Sequence, residues 1–173
     1  MIENGIVTLR PWERADAVFV FEACRDPEIQ RWTRVPRPYT ALDAATFIDR
    51  HAQAQPEEDG AFFAVTRTDN GELLGAISLH RIDWAFRQAE IGYWIGPEAR
   101  REGVATAAVN ALTAWGLGSL GLVEVRLITA RGNVASQGVA RTAGYTFSHV
   151  LADDCRDGDE VVDGLAFTRR ADS

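Results

Sequence analysis

Apolar positions recur along this chain with two alternating periods, and each change of period marks an element. VTLR, Val7 to Arg10, alternates over four residues and stops at Pro11, which suits a short opening strand. A helix is predicted from about Arg14 to Cys24, ended by Asp26-Pro27. A second helix follows Thr40: Ala44, Phe47, Ile48 and His51 recur at helical spacing, and Thr40 with Asp43 has the form of a capping pair. Pro56 and the acids after it close that segment.

The middle of the chain shifts to period two. AFFAVTR and ELLGAISLHRID read as strands joined at Asp69-Asn70-Gly71, a hairpin turn signal. QAEIGYWI, Gln88 to Ile95, reads as a third strand, broken by Gly96-Pro97. Helical period then returns. Val104, Ala107, Ala108, Ala111, Leu112 and Trp115 form one continuous stripe, with Gly116 and Gly118 near its end. VEVRLIT, Val123 to Thr129, is a strand. Asn133 caps a helix from Val134 to Ala143 that stops at Gly144, and YTFSHVL and VVDGLAFTR finish the chain as two strands around a polar turn. This order predicts one α/β (α+β) domain over residues 1–173, with a single mixed sheet flanked by helices.

Composition narrows the function. A chain of 173 residues with 46% hydrophobic and 25% charged positions has the makeup of an ordinary globular domain. Its 18 basic and 25 acidic residues give a formal charge of −7, which argues against nonspecific nucleic-acid binding. No apolar run reaches the roughly 20 residues of a membrane helix, and the N-terminus lacks the pattern of a secretory signal. Cys24 and Cys155 stand far apart, without metal-ligand spacing nearby, and read as free thiols of a cytoplasmic protein. No metal is expected.

The chemistry concentrates in EIGYWIGPEARREGVATAAVNAL. Here a strand runs into a turn that opens an amphipathic helix. The free N–H groups of a first helical turn, at its positive dipole end, attract anions. Gly103 and Ala105 are small enough for a phosphate to approach the backbone, and Arg100 and Arg101 add positive charge. The GxGxxG dinucleotide fingerprint and the GxxxxGK[ST] phosphate loop are both absent. The turn is therefore either a diphosphate cradle of another kind or an exposed basic turn before a surface helix.

Arg100-Arg101-Glu102-Gly103-Val104-Ala105 resembles the [RQ]-x-x-G-x-[GA] signature of the GNAT superfamily of acyl-CoA-dependent N-acyltransferases. Asn133-Val134-Ala135-Ser136 and Ala143-Gly144-Tyr145 resemble the N-x-x-S…G-[FY] segment of the branch that acetylates ribosomal-protein N-termini, as do the opening LRPW and the strand GAISLHRID. The resemblance spans nearly the whole chain. It implies a splayed, mostly antiparallel sheet and acetyl-CoA as co-substrate. The backbone at Trp94 and Ile95 would pair with pantetheine. The turn from Arg100 through Arg101, Glu102, Gly103, Val104 and Ala105 to Thr106 would wrap the diphosphate. Asn133 would hold pantetheine or place the thioester. Its implied partners are acetyl-CoA and an amine acceptor, with a homodimer expected by analogy.

Amide formation from a thioester needs a neutral amine, donors for the oxyanion and a proton for the leaving thiolate. Glu90 is the candidate base; the alternative is a strand glutamate paired with Arg87 or Arg126. Asp154, in the acidic run ADDCRDGDE, is the reserve base, and the run either attracts a cationic acceptor or is a solvated hairpin tip. Ser136 is the candidate donor to sulfur, or else a first-turn serine serving local backbone groups. Relatives that use a tyrosine for this step carry it where this chain has Ala140, and Gly138 stands where relatives often have a basic residue. His51, His80 and His149 read as structural. Trp32 and Trp84-Ala85-Phe86 are candidates for a substrate lip or a dimer contact. Two other functions keep the same cradle: a non-catalytic acyl-CoA-binding sensor, and an antibiotic or small-metabolite amine acetyltransferase.

Overall fold

In the computed structural model, which describes residues 1–52, 54 and 60–171, eight strands form one sheet in the order β1-β2-β3-β4-β5-β6-β8-β7. The strands are β1 (Ile2–Asn4), β2 (Val7–Arg10), β3 (Ala61–Arg67), β4 (Leu73–Asp83), β5 (Gln88–Ile95), β6 (Glu124–Ala130), β7 (Thr146–Asp157) and β8 (Glu160–Arg170). Neighbours run antiparallel except β5 and β6. The helices are α1 (Ala17–Ala23), α2 (Pro27–Trp32), α3 (Ala41–His51), α4 (Val104–Gly118) and α5 (Val134–Thr142). The closure expected at Pro56 lies outside the described residues.

Period-two alternation divides the central strands between two cores. Ile77 and Leu79 of β4, with Ala89, Ile91 and Ile95 of β5, pack with Val104, Ala108, Ala111 and Leu112 of α4. Ala76 and Trp94, from the alternate positions, pack instead with Val20, Ala44 and Ile48 of α1 and α3. The apolar stripe of α4 thus faces the sheet as its spacing predicts. Gly116 does not end that helix. A Cβ there would come within 2.9 Å of the Leu79 side chain, so the glycine lets helix and sheet approach closely.

Two local expectations change. The first helix does stop at Ala23, before Asp26-Pro27, but that pair also starts α2, with the Asp26 carboxylate accepting from the Ile29 N–H at 3.0 Å and Pro27 at the first helical position. The acidic run is not a loop. β7 continues through it to Asp157 and pairs with β8 up to Asp157 opposite Glu160, leaving only Gly158-Asp159 as the turn. The register shifts between Leu151 and Cys155, and Asp153 takes a φ of 53°, so Asp154 sits in a bulge of β7, the last strand of the sheet.

The Thr40–Asp43 capping box and the Asn133 cap form as predicted. His51 stacks on Phe62 at 3.9 Å between ring centroids and meets Phe47 edge-on, in keeping with a packed histidine.

Candidate active site

The parallel pair β5–β6 holds only from Gln88–Ile91 opposite Glu124–Leu127. Beyond Ile91 the strands part, while β5 stays paired to β4 and β6 to β8. The gap opens into a cleft of about 1030 Å³, lined along its walls by Gly92–Ile95 and Ile128–Ala130.

Register decides which backbone groups face the gap. The Gly96 N–H donates to the Leu74 carbonyl at 2.8 Å, which makes that pair a hydrogen-bonded one. Antiparallel pairs alternate, so Trp94 spends its groups on Ala76 in β4, and Tyr93 and Ile95 present theirs to the gap. Trp94, expected to offer its backbone, instead stacks its ring on Phe19. Tyr93 takes its place on the gap side, and Ile95 keeps its place there, although its carbonyl also accepts from Arg100 Nε at 3.2 Å.

At one end of the cleft lies the start of α4. Arg101 and Gly103 have φ of 65° and 80°, and Gly103 caps the helix without any side-chain bond to its first turn. The first-turn amides of Val104, Ala105 and Thr106 have no acceptor within the helix. The two arginines differ. Arg100 donates to Asp26 as well as to Ile95, so its charge is spent anchoring the turn to α2. Burial alone would raise the Asp26 carboxyl pKa. The Arg100 hydrogen bond and the Ile29 N–H outweigh it and hold the carboxyl below its ordinary range. Arg101 has no hydrogen-bond or ion-pair partner among the described residues and lines the cleft. Glu102 pairs with Arg67 at 3.0 Å, which moves its charge off the turn.

In the middle of the cleft, Asn133 accepts from the Ser136 N–H at 3.0 Å through Oδ1, leaving its amide nitrogen for other partners. The Tyr93 hydroxyl crosses from β5 and donates to Ser136 Oγ at 3.2 Å. Burial pushes the Tyr93 hydroxyl above its ordinary pKa despite that bond, so it stays protonated at neutral pH. Ala140, by contrast, is fully buried in the core under α5. The chain therefore brings a tyrosine to this point from a strand rather than from the helix.

At the other end, Glu90 accepts from Arg81 Nη1 at 3.1 Å, and His80 Nε2 lies 3.7 Å from its carboxylate. Neither expected partner is used. Arg87 lies in the β4–β5 turn, and Arg126 pairs with Glu124 and Gln88. Burial lowers the His80 pKa, with Arg81 acting the same way and Glu90 opposing, so the imidazole is neutral at neutral pH. The ring lies over Gly92, where a Cβ would meet His80 Cε1 at 2.9 Å.

Read as structural from its sequence, His80 thus lines the cleft beside the candidate base. The one sequence signal for it was the glycine two residues beyond Glu90. Gly92→Ala is expected to displace the imidazole at a cost of about 1 kcal/mol or more. Steady-state kinetics with varied amine should show a lower acceptor kcat/KM; unchanged kinetics would make the ring's position irrelevant.

Asp154, Cys155 and Arg156 of β7, and Trp32 and Arg34 near the end of α2, complete this end. Burial pushes the Cys155 thiol up to about 11, so it is no nucleophile near neutrality. Trp84 and Phe86 are in the β4–β5 turn and do not line the cleft, so of the candidate lip residues only Trp32 does.

A mixed sheet parted at its parallel pair, with a bare helix N-terminus at one end of the gap, is the architecture of the acyl-CoA N-acyltransferases. The chain belongs to that group: residues 7–146 match the family model described as acetyltransferase (GNAT) domain. It is 28% identical over 151 residues to the uncharacterized N-acetyltransferase YoaA of Bacillus subtilis, covering 87% of this chain and 85% of that one. Among solved structures, a spermidine N-acetyltransferase from Vibrio cholerae in complex with CoA and spermine superposes with a TM-score of 0.82 at 21% identity, covering 96% of each chain. The ribosomal-protein-S5-alanine acetyltransferase of Vibrio fischeri superposes with a TM-score of 0.85 at 16% identity, covering 100% of this chain and 98% of that one.

Proposed function

We propose that the chain transfers an acetyl group from acetyl-CoA to a primary amine by direct attack in a ternary complex. The observation that carries this reading is the gap between β5 and β6, which runs from the free amides of α4 to the Glu90–His80 end. A diphosphate would lie on the Val104, Ala105 and Thr106 amides, with Arg101 beside it. The pantetheine arm would run along Tyr93 and Ile95 as a missing strand, with the Asn133 amide nitrogen within its course. Its thioester would then stand near Ser136.

The amine would enter from the opposite end. Glu90, directly or through water, takes the proton that leaves the attacking nitrogen, and Asp154 is the second carboxylate of that end. The new N–C bond forms as the C–S bond breaks, the departing thiolate accepts a hydrogen bond from the Ser136 hydroxyl, and the proton taken up by Glu90 passes to solvent. Because the Tyr93 hydrogen is used on Ser136 Oγ, the serine's own hydrogen is free to turn toward sulfur. The setting would be cytoplasmic, a reading supported by the free thiols Cys24 and Cys155.

Thermal unfolding tests the donor. A ligand that binds only the folded state stabilises it by about 2.7 kcal/mol at a hundredfold excess over Kd. Acetyl-CoA should raise the melting temperature, and no shift at saturation would refute the reading. Release of free thiol with an amine panel separates an enzyme from a binding module.

A further inference from the structure

We infer that the acceptor is a zwitterion: an amine carrying a carboxylate or phosphate a few bonds away, rather than a polycation. This rests on the acetyltransferase reading above. The acidic run left a cationic acceptor open beside a solvated hairpin tip, but the folded chain pairs two of its five acids with arginines. Asp157 accepts from Arg31 Nε at 2.5 Å and Nη2 at 3.2 Å, and Asp159 pairs with Arg37 at 3.0 Å. Glu28 accepts from the Trp32 indole at 3.0 Å, and Glu90 from Arg81.

The groups left over at the acceptor end are different. The Asp154 carboxylate has no hydrogen-bond or ion-pair partner among the described residues. Arg34 makes one bond, from Nη2 to the Asp154 backbone carbonyl at 2.9 Å, which leaves most of its five donors unused. Arg156 makes none among the described residues. All three line the cleft, and the fields of Asp154, Arg34 and Glu90 converge on the Cys155 thiol between them.

Two exposed guanidinium groups without an ion-pair partner among the described residues, and one unpaired carboxylate, therefore line the cleft that holds the candidate base. A polyamine needs successive carboxylates and would meet two like charges here. A guanidinium pair matches the planar, multiply accepting oxygens of a carboxylate or phosphate. An ammonium group would lie toward Asp154 and Glu90 while its anionic end lies toward Arg34 and Arg156.

The test compares matched acceptors at saturating acetyl-CoA: α-amino acids against their carboxamides, O-phosphoethanolamine against ethanolamine, and spermidine. The anion-bearing member of a pair should show a kcat/KM about tenfold or more above its neutral partner, the effect of a charged hydrogen bond. Spermidine should fall below both, and the two pairs identify which anion is read. Arg34→Gln should collapse that preference. Arg156→Gln should do the same, and because Arg156 holds no structural contact its result is not confounded by misfolding. Carboxamides matching their acids, spermidine as the best acceptor, or a preference that survives both variants would overturn the inference. So would a panel without turnover in a protein that acetyl-CoA still protects, which leaves the donor reading standing. Loss of that protection would instead remove the donor reading itself, and this inference with it.

Discussion

Glu90→Gln is expected to lower kcat by about a hundredfold, the lower range for loss of a positioned general base. Glutamine keeps the shape of the side chain and an oxygen for Arg81 Nη1, which lies 3.1 Å from the glutamate. Folding and protection by acetyl-CoA should therefore survive, and the loss should appear in steady-state turnover alone. Amine deprotonation becomes easier as pH rises, so the deficit should shrink toward alkaline pH as the free-base amine supplies itself. An undiminished kcat would move the base to Asp154, whose carboxylate shares the same end of the cleft. Asp154→Asn is the companion variant that reads out that alternative.

The second large effect is expected at Ser136. Ser136→Ala removes the hydroxyl proposed to face the leaving group and should lower kcat about tenfold, below the range of about 10²–10⁴ for a positioned acid or base, because a hydrogen bond to sulfur rather than a proton transfer is lost. The cap on α5 is untouched, because Asn133 Oδ1 accepts from the Ser136 backbone N–H rather than from its side chain. Tyr93→Phe should give a smaller loss of the same kind, since it frees the serine to rotate without removing it. Both are measured as kcat with acetyl-CoA KM held as a control. Equal KM with ordered losses, alanine greater than phenylalanine, supports the Tyr93–Ser136 pair as the donor to sulfur; unchanged turnover in both variants would leave Ser136 as a first-turn serine without a part in the reaction.

Much of the scaffold can be read from local pattern, because local physics made it. The stripe from Val104 to Trp115 and the Thr40–Asp43 box depend on residues three and four apart, and both formed as expected. The turn from Arg100 to Thr106 was legible through its small residues and helix start. What could not be read were choices made by distant partners. Arg31 meets Asp157 across 126 positions, and Arg37 meets Asp159 across 122, so an acidic run that looked solvated is docked on α2.

Arg100 looked like a phosphate ligand until Asp26, 74 positions away, claimed it. The exchange of Trp94 for Tyr93 is a matter of hydrogen-bond phase. Alternation of side chains is visible in a sequence, whereas the phase of the ladder is set by which strand lies alongside. His80 was passed over for the same reason: only the β4–β5 register, which places it opposite Glu90, gives it a neighbour to act with.

The parting of β5 from β6 also bears on how the molecule avoids its own kind. Bare strand edges invite other polypeptides to add on, and proteins ordinarily blunt them with charge, proline or a bulge. Here the unpaired stretch lies in the interior of an eight-stranded sheet, hemmed by a neighbour that rejoins it at Ile91 and Leu127. The opened stretch of β5, Gly92 to Ile95, is short and closed at one end, so it offers an added strand few groups to pair with. An edge held inside the sheet in this way is a poor seed for aggregation.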